Sequence, residues 1–204
     1  MHRSGAVVGK PKGAIVAELR SLSDRAFDLL TRTRFMTLAT ADASGKPWAS
    51  TVNYVLPIDD QVSDQVRLIW YSMKEAQHSR NLAAQPSVTG SIFRTDLAAE
   101  QSPLMLDGLQ FSGLGRVIPD EAVEDNHTLY YRLNFPDESI RRKWMLPVDE
   151  FRANGDRRFY EIGVDEWWLL DIERWLADKV DRRVALPPPA QLLATWRSNL
   201  AQVK

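Results

Sequence analysis

Hydroxyl, amide and imidazole side chains crowd two neighbouring stretches of this chain, FMTLATADASGKPWASTVNYV (residues 35–55) and VRLIWYSMKEAQHSRNLAAQPSVTGSIF (residues 66–93). Such groups donate hydrogen bonds and suit the holding of a ligand better than nucleophilic attack on one. Other chemistries lack their residues. With no cysteine, thiolate nucleophiles, thiolate metal sites and disulfides are excluded. There is no Gly-x-Ser-x-Gly elbow and no His or carboxylate cluster at metal-ligand spacing, and Gly113-Leu114-Gly115-Arg116 does not complete a phosphate loop.

The elements that must carry these residues follow from periodicity. Ile15, Leu19, Leu22, Ala26, Leu29 and Leu30 recur at helical spacing and predict a helix over 14–33, with Ser23 and Asp24 as caps if it is broken in two. Phe35–Ala41 and Trp48–Ile58 are β-rich runs on either side of the turn-forming segment Asp42 to Pro47, a hairpin pattern. A third strand is expected over 66–72, a short helix over 74–85 ended by Pro86, and a fourth strand over 87–94. A fifth, over 104–118, carries three glycines that let a strand bend or come close to a ligand. Helices over 119–133 and 138–145 and two late strands, 158–164 and 167–172, follow. The run Val184 to Pro189 is a stiff extended spacer before a last helix over 191–203. About seven strands with peripheral helices give an α+β barrel.

The 204 residues favour one domain with decorations, here an N-terminal helical arm (1–34), a barrel (35–175) and a proline-linked helical tail (176–204). Basic and acidic residues number 26 and 27, so no overall charge calls for nucleic acid or a membrane surface. No apolar run is long enough for a signal peptide or approaches the roughly 20 residues of a spanning helix, and a cytoplasmic location is expected.

The ordered set ATADASGKPW, then WYS, a helix and AQPSV resembles the pyridoxamine 5'-phosphate oxidase superfamily of FMN-binding split barrels over residues 33–118, with LDGLQFSGLGR closer to its small bacterial members than to the oxidase itself. The resemblance implies a homodimer with FMN at the subunit interface. It places the cofactor on Ser50, Thr51, Val52 and Asn53 of the second strand, Tyr71 and Ser72 at the end of the third, and Gln77 and His78 on the following helix. The oxidase carries Arg and Lys where this chain has Ser50 and Val55, and basic residues at the positions of Gln77 and His78. Each absent cation weakens phosphate binding by about ten- to a hundredfold unless another donor replaces it. Gln110, between the small residues Gly108 and Ser112 on one strand face, is the candidate contact to the ring edge.

The oxidase's C-terminal signature has no counterpart in RRFYEIGVDEWWLLDIERW, so pyridoxamine phosphate oxidation is not expected. A flavin carries its own electrons and needs no dedicated acid or base from the protein. The expected function is therefore a flavin-dependent oxidoreductase acting on a small molecule, or alternatively a non-catalytic carrier or sensor for flavin, deazaflavin or haem. A barrel that has lost its ligand and serves as an interaction module is a third reading. For haem, His78 and His127 are the internal candidates for an axial ligand.

Overall fold

Seven antiparallel strands curl around one core, and six helices lie against them, among the residues that the computed structural model describes, 20–59 and 63–203. Helix α1 is Leu22–Arg32, followed by strands β1 (Phe35–Ala41), β2 (Pro47–Asn53) and β3 (Arg67–Met73). Helix α2 (Gln77–Ala84) leads to β4 (Ser87–Arg94) and β5 (Asp107–Val117). Helices α3 (Val123–Asn134) and α4 (Glu138–Trp144) precede β6 (Arg157–Leu170), α5 (Ile172–Asp178), β7 (Arg183–Ala185) and α6 (Pro189–Val203). The strand order is β2-β1-β4-β5-β6-β3, with β7 paired to β6. A bridge between Val55, just past β2, and Ile69 of β3 brings the two ends of that path together. The fold is the expected α+β split barrel.

Local chemistry explains the hairpin that opens the barrel. Asp42 Oδ1 accepts from Ser44 N at 2.9 Å, Ser44 Oγ at 2.6 Å and Lys46 N at 3.0 Å, while Gly45 takes a φ of 84°, which favours glycine. In β1, Met36, Leu38 and Thr40 are buried, whereas Phe35, Thr37 and Ala39 are exposed. The inner face of the sheet joins α1 and α6 in one core, where Leu38, Trp70, Phe111, Ile162 and Trp167 meet Leu29 from one helix and Trp196 from the other. A second cluster, including Ile69, Tyr130, Tyr131, Phe151 and Phe159, covers the other face of β3.

Several boundaries move for physical reasons. The first part of the expected N-terminal helix, with Ile15 and Leu19, lies outside the described residues. Helix α1 is capped by Ser21 and not by Ser23 or Asp24: Ser21 Oγ accepts from Asp24 N at 3.1 Å and donates to Asp24 Oδ2 at 2.7 Å. The two expected late strands are one. Ser112 pairs with Glu166 and Gly113 with Val164, so Asp165 is an extra residue taken up as a bulge without breaking the ladder. A Cβ on Gly113 would sit 2.1 Å from the Gly163 carbonyl oxygen, so that crossing requires glycine. Part of the expected spacer forms β7, and α5 was not anticipated at all.

A buried ion pair ties α1 to the sheet. Arg25 donates from Nε and Nη2 to the two oxygens of Asp107, each at 2.8 Å, and from Nη2 to the Leu170 carbonyl at 2.7 Å. The two side chains are only 6% and 4% exposed. Removing one partner leaves a charge buried without its counter-ion, which costs about 3–5 kcal/mol. Asp107→Ala should therefore lower unfolding free energy by about that amount in urea titrations. Arg25→Met combined with Asp107→Leu should recover most of the loss.

Candidate functional site

The period of two divides the expected ligand-binding residues between the two sides of the sheet. Ser50 and Val52 lie opposite Leu38 and Met36 and share their inward face, and Ser72 shares the inward face of Trp70. Val52 is core. Asn53 and Tyr71 point the other way, into the cluster beneath α3. The Tyr130 hydroxyl donates to Asn53 Oδ1 at 2.8 Å, and the Tyr71 ring lies 5.1 Å from Tyr130 and 5.2 Å from Phe151, centroid to centroid. These two residues pack and brace.

At one end of the barrel α2 brings His78 onto Ser50. Ser50 Oγ accepts from the half-exposed Trp48 Nε1 at 3.0 Å and lies 3.1 Å from His78 Nδ1. Either neutral tautomer of the ring can make this bond, and both leave Nε2 as the second ring nitrogen. That atom is buried with no hydrogen-bond partner, an omission costing about 1–3 kcal/mol. The ring is 7% exposed, and its burial lowers the pKa below that of a free histidine. It is neutral at neutral pH. Gln77, one residue earlier, donates from Nε2 to Asn81 Oδ1 at 2.8 Å, and the Asn81 amide donates to Thr40 Oγ1 at 3.0 Å. Gln77 Oε1 accepts from Arg80 Nη2 at 2.9 Å. Helix α2 starts at Gln77 and not near Lys74, so Gln77 and His78 fall in its first turn.

Thr51 and Gln110 belong to a different surface. In register they form one row across five strands, Thr51 beside Thr37, Thr37 beside Ser91, Ser91 beside Gln110 and Gln110 beside Trp168. At about 4.8 Å per strand the row spans about 19 Å. The next row is Ala49, Ala39, Thr89, Ser112 and Glu166. The first four strands of both rows carry no charge. Around them Phe35, Phe93 and Leu114 are 55%, 56% and 54% exposed. The Phe93 ring lies across Gly108, where a Cβ would come within 2.6 Å of it.

Three adjoining clefts follow this outward face. One of about 380 Å³ is lined by Thr37, Thr89, Ser91, Gln110 and Trp168, and one of about 450 Å³ by Ala39, Ser87, Ser112 and Leu114 among others. The third, about 480 Å³, includes Phe93, Leu106, Gln110, Trp175 and Arg183 in its walls. Arg183 Nε donates to Gln110 Oε1 at 3.1 Å and fixes the amide. Thr37, Ser91 and Arg183 were not singled out from sequence. The signal was present in FMTLATA and SVTGSIF, whose outward positions hold threonine, serine and alanine where a solvated face would carry lysine or glutamate.

Elsewhere, His127 Nε2 is 2.8 Å from the Leu146 carbonyl and its ring packs against Tyr131. Among the described residues no group of three or more His, Asp or Glu is placed to hold a metal ion, and no helix is long and apolar enough to cross a membrane.

The curled antiparallel sheet closed around one core, with helices against it, is the architecture of the split-barrel class. The chain belongs to the pyridoxamine 5'-phosphate oxidase family, which residues 22–171 match. No curated protein matches the chain by sequence. Among solved structures it is similar to a haem binding protein from Mycobacterium smegmatis, at 18% identity and a TM-score of 0.57, over 86% of this chain and 61% of that one. An FAD-binding protein from Mesorhizobium loti matches at 17% identity and a TM-score of 0.51, over 76% of this chain and 97% of that one. A protein of unknown function from Agrobacterium tumefaciens matches at 19% identity and a TM-score of 0.53, over 79% of this chain and 60% of that one. At these identities the likeness is one of fold, and the chain spans about three-fifths of the length of the first and third.

The neutral His78 has a measurable consequence. An unfolded histidine takes up a proton near pH 6.5 while the buried ring resists it, so stability falls as pH drops through that value toward the lowered folded pKa, and is unaffected above it. Comparing urea unfolding at about pH 7.5 and about pH 5.5, the wild type should lose more stability than His78→Gln. An equal loss in both would place the pH dependence in other groups.

Proposed function

We propose that this protein is a homodimer that seats a flat, conjugated cofactor of the flavin type on its outward sheet face, between two copies, and uses it to oxidise or reduce a small molecule. The observation that carries this reading is the uncharged five-strand row with its exposed apolar border. An exposed patch of this kind on a sheet marks an interaction surface, and a self-complementary one favours a two-fold pair. Thr37, Thr51, Ser91 and Gln110 offer hydroxyl and amide groups for the polar edge of a ring, and Trp168 and Phe93 offer planes to stack on it.

A bound flavin supplies the electron chemistry. The chain's own residues supply a seat that two packed sheets keep dry, and the Arg183-held amide of Gln110 gives that seat a fixed direction. The fold neighbours include an FAD-binding protein and a haem binding protein, which supports a ring-shaped ligand in general. Flavin is favoured over haem because neither internal histidine is poised on this face: His127 is engaged by Leu146 and His78 lies beneath Ser50.

The test is mass by light scattering together with flavin titration. The wild type should run as a dimer and bind riboflavin with quenching of tryptophan fluorescence. Thr37→Glu puts a carboxylate in the middle of the face and should give a monomer with at least tenfold weaker flavin binding and an unchanged circular dichroism spectrum. A wild-type monomer that ignores added flavin sinks the reading.

A further inference from the structure

We infer that this chain holds its cofactor by the ring and has closed the seat for a terminal phosphate, so that flavins with and without the 5'-phosphate bind it alike. The inference rests on the reading of the outward face given above. A phosphate monoester carries close to two negative charges at neutral pH and needs cations or uncommitted N–H groups. The side chains at the family's phosphate positions offer no cation, and their one uncommitted polar atom, His78 Nε2, is buried.

Ser50 is spent on Trp48 and His78. His78 is buried, and an anion beside it would have to drive a proton onto a ring that burial keeps neutral. Gln77 is engaged at both ends of its amide, by Asn81 and by Arg80, and Asn81 is itself buried and bonded to Thr40. Val55, where the oxidase has a lysine, lies in the apolar cluster under α3.

Two nearby arginines are turned elsewhere. Arg80 lies over the start of α2, bonded to the Glu75 carbonyl and to Gln77, with the Glu75 carboxylate 4.0 Å away. An anion approaching the first turn of α2 therefore meets a carboxylate as well as the helix's free N–H groups, and the two effects oppose each other. Arg158, opposite Ser72, gives its donors to the carbonyls of Ala153, Gly155 and Arg157. The hydroxyl of Ser50, the amide of Gln77 and the guanidinium groups of Arg80 and Arg158 all spend hydrogen bonds within the protein.

The experiment is a parallel titration of the purified protein with riboflavin and with FMN, followed by tryptophan fluorescence at low and high salt. The expected result is two dissociation constants within about threefold of each other, little salt dependence for either, and no competition by inorganic phosphate. Gln77→Lys should open the amide network and add a cation at the first turn of α2, raising FMN affinity over riboflavin about tenfold or more. FMN binding tenfold or more tighter than riboflavin in the wild type overturns the inference while leaving the ring-binding face intact. The same holds if Lys74→Ala selectively weakens FMN. Failure of both flavins to bind overturns the reading of the face, and this inference with it.

Discussion

A sheet curled around its own core gives every strand residue only two destinations, and the barrel depends on that constraint. Inward positions fill one continuous apolar cluster from Met36 to Trp196, and outward positions are left to water, to a helix or to another molecule. On β3 the outward side is taken by α3 and its aromatic neighbours. Along the rows from Thr51 to Gln110 and from Ala49 to Ser112, across β2, β1, β4 and β5, the outward side chains are uncharged and mostly small. One sheet thus makes a core on one side and a site on the other.

The same alternation separates two jobs. Residues 50 and 51 are adjacent in sequence, yet Ser50 joins a closed internal network with Trp48 and His78 while Thr51 stands on the outward row. Burial then decides the electrostatics. A histidine near solvent could serve as a part-time cation, but one pressed beneath a strand with its second nitrogen unpartnered stays neutral.

The fold was legible from the sequence because its signals are local. Alternation in FMTLATA, the aspartate and glycine of the first turn, and the proline after α2 each act within a few residues. What escaped was set by distant partners. The late strand looked divided at Val164-Asp165-Glu166 because the bulge that absorbs Asp165 is visible only once β5 lies beside it. The candidate site was only partly legible for a related reason. The resemblance to the family put Ser50, Gln77 and His78 at one site, but whether their polar atoms face a ligand or each other depends on Trp48, Asn81 and Thr40. The smallness of its neighbours singled out Gln110 as a candidate, while Arg183, which bonds its amide, lies 73 residues away.

The Arg25 guanidinium reaches Asp107 and the Leu170 carbonyl across sequence separations of 82 and 145 residues. Contacts that distant close late, because the intervening chain must first surrender its freedom. The charge can leave water only where both acceptors already stand side by side, which requires the fifth and sixth strands to be zipped together. The fastening of helix α1 is thereby tied to the register of the two strands, and a barrel zipped out of step would leave the guanidinium without its partners.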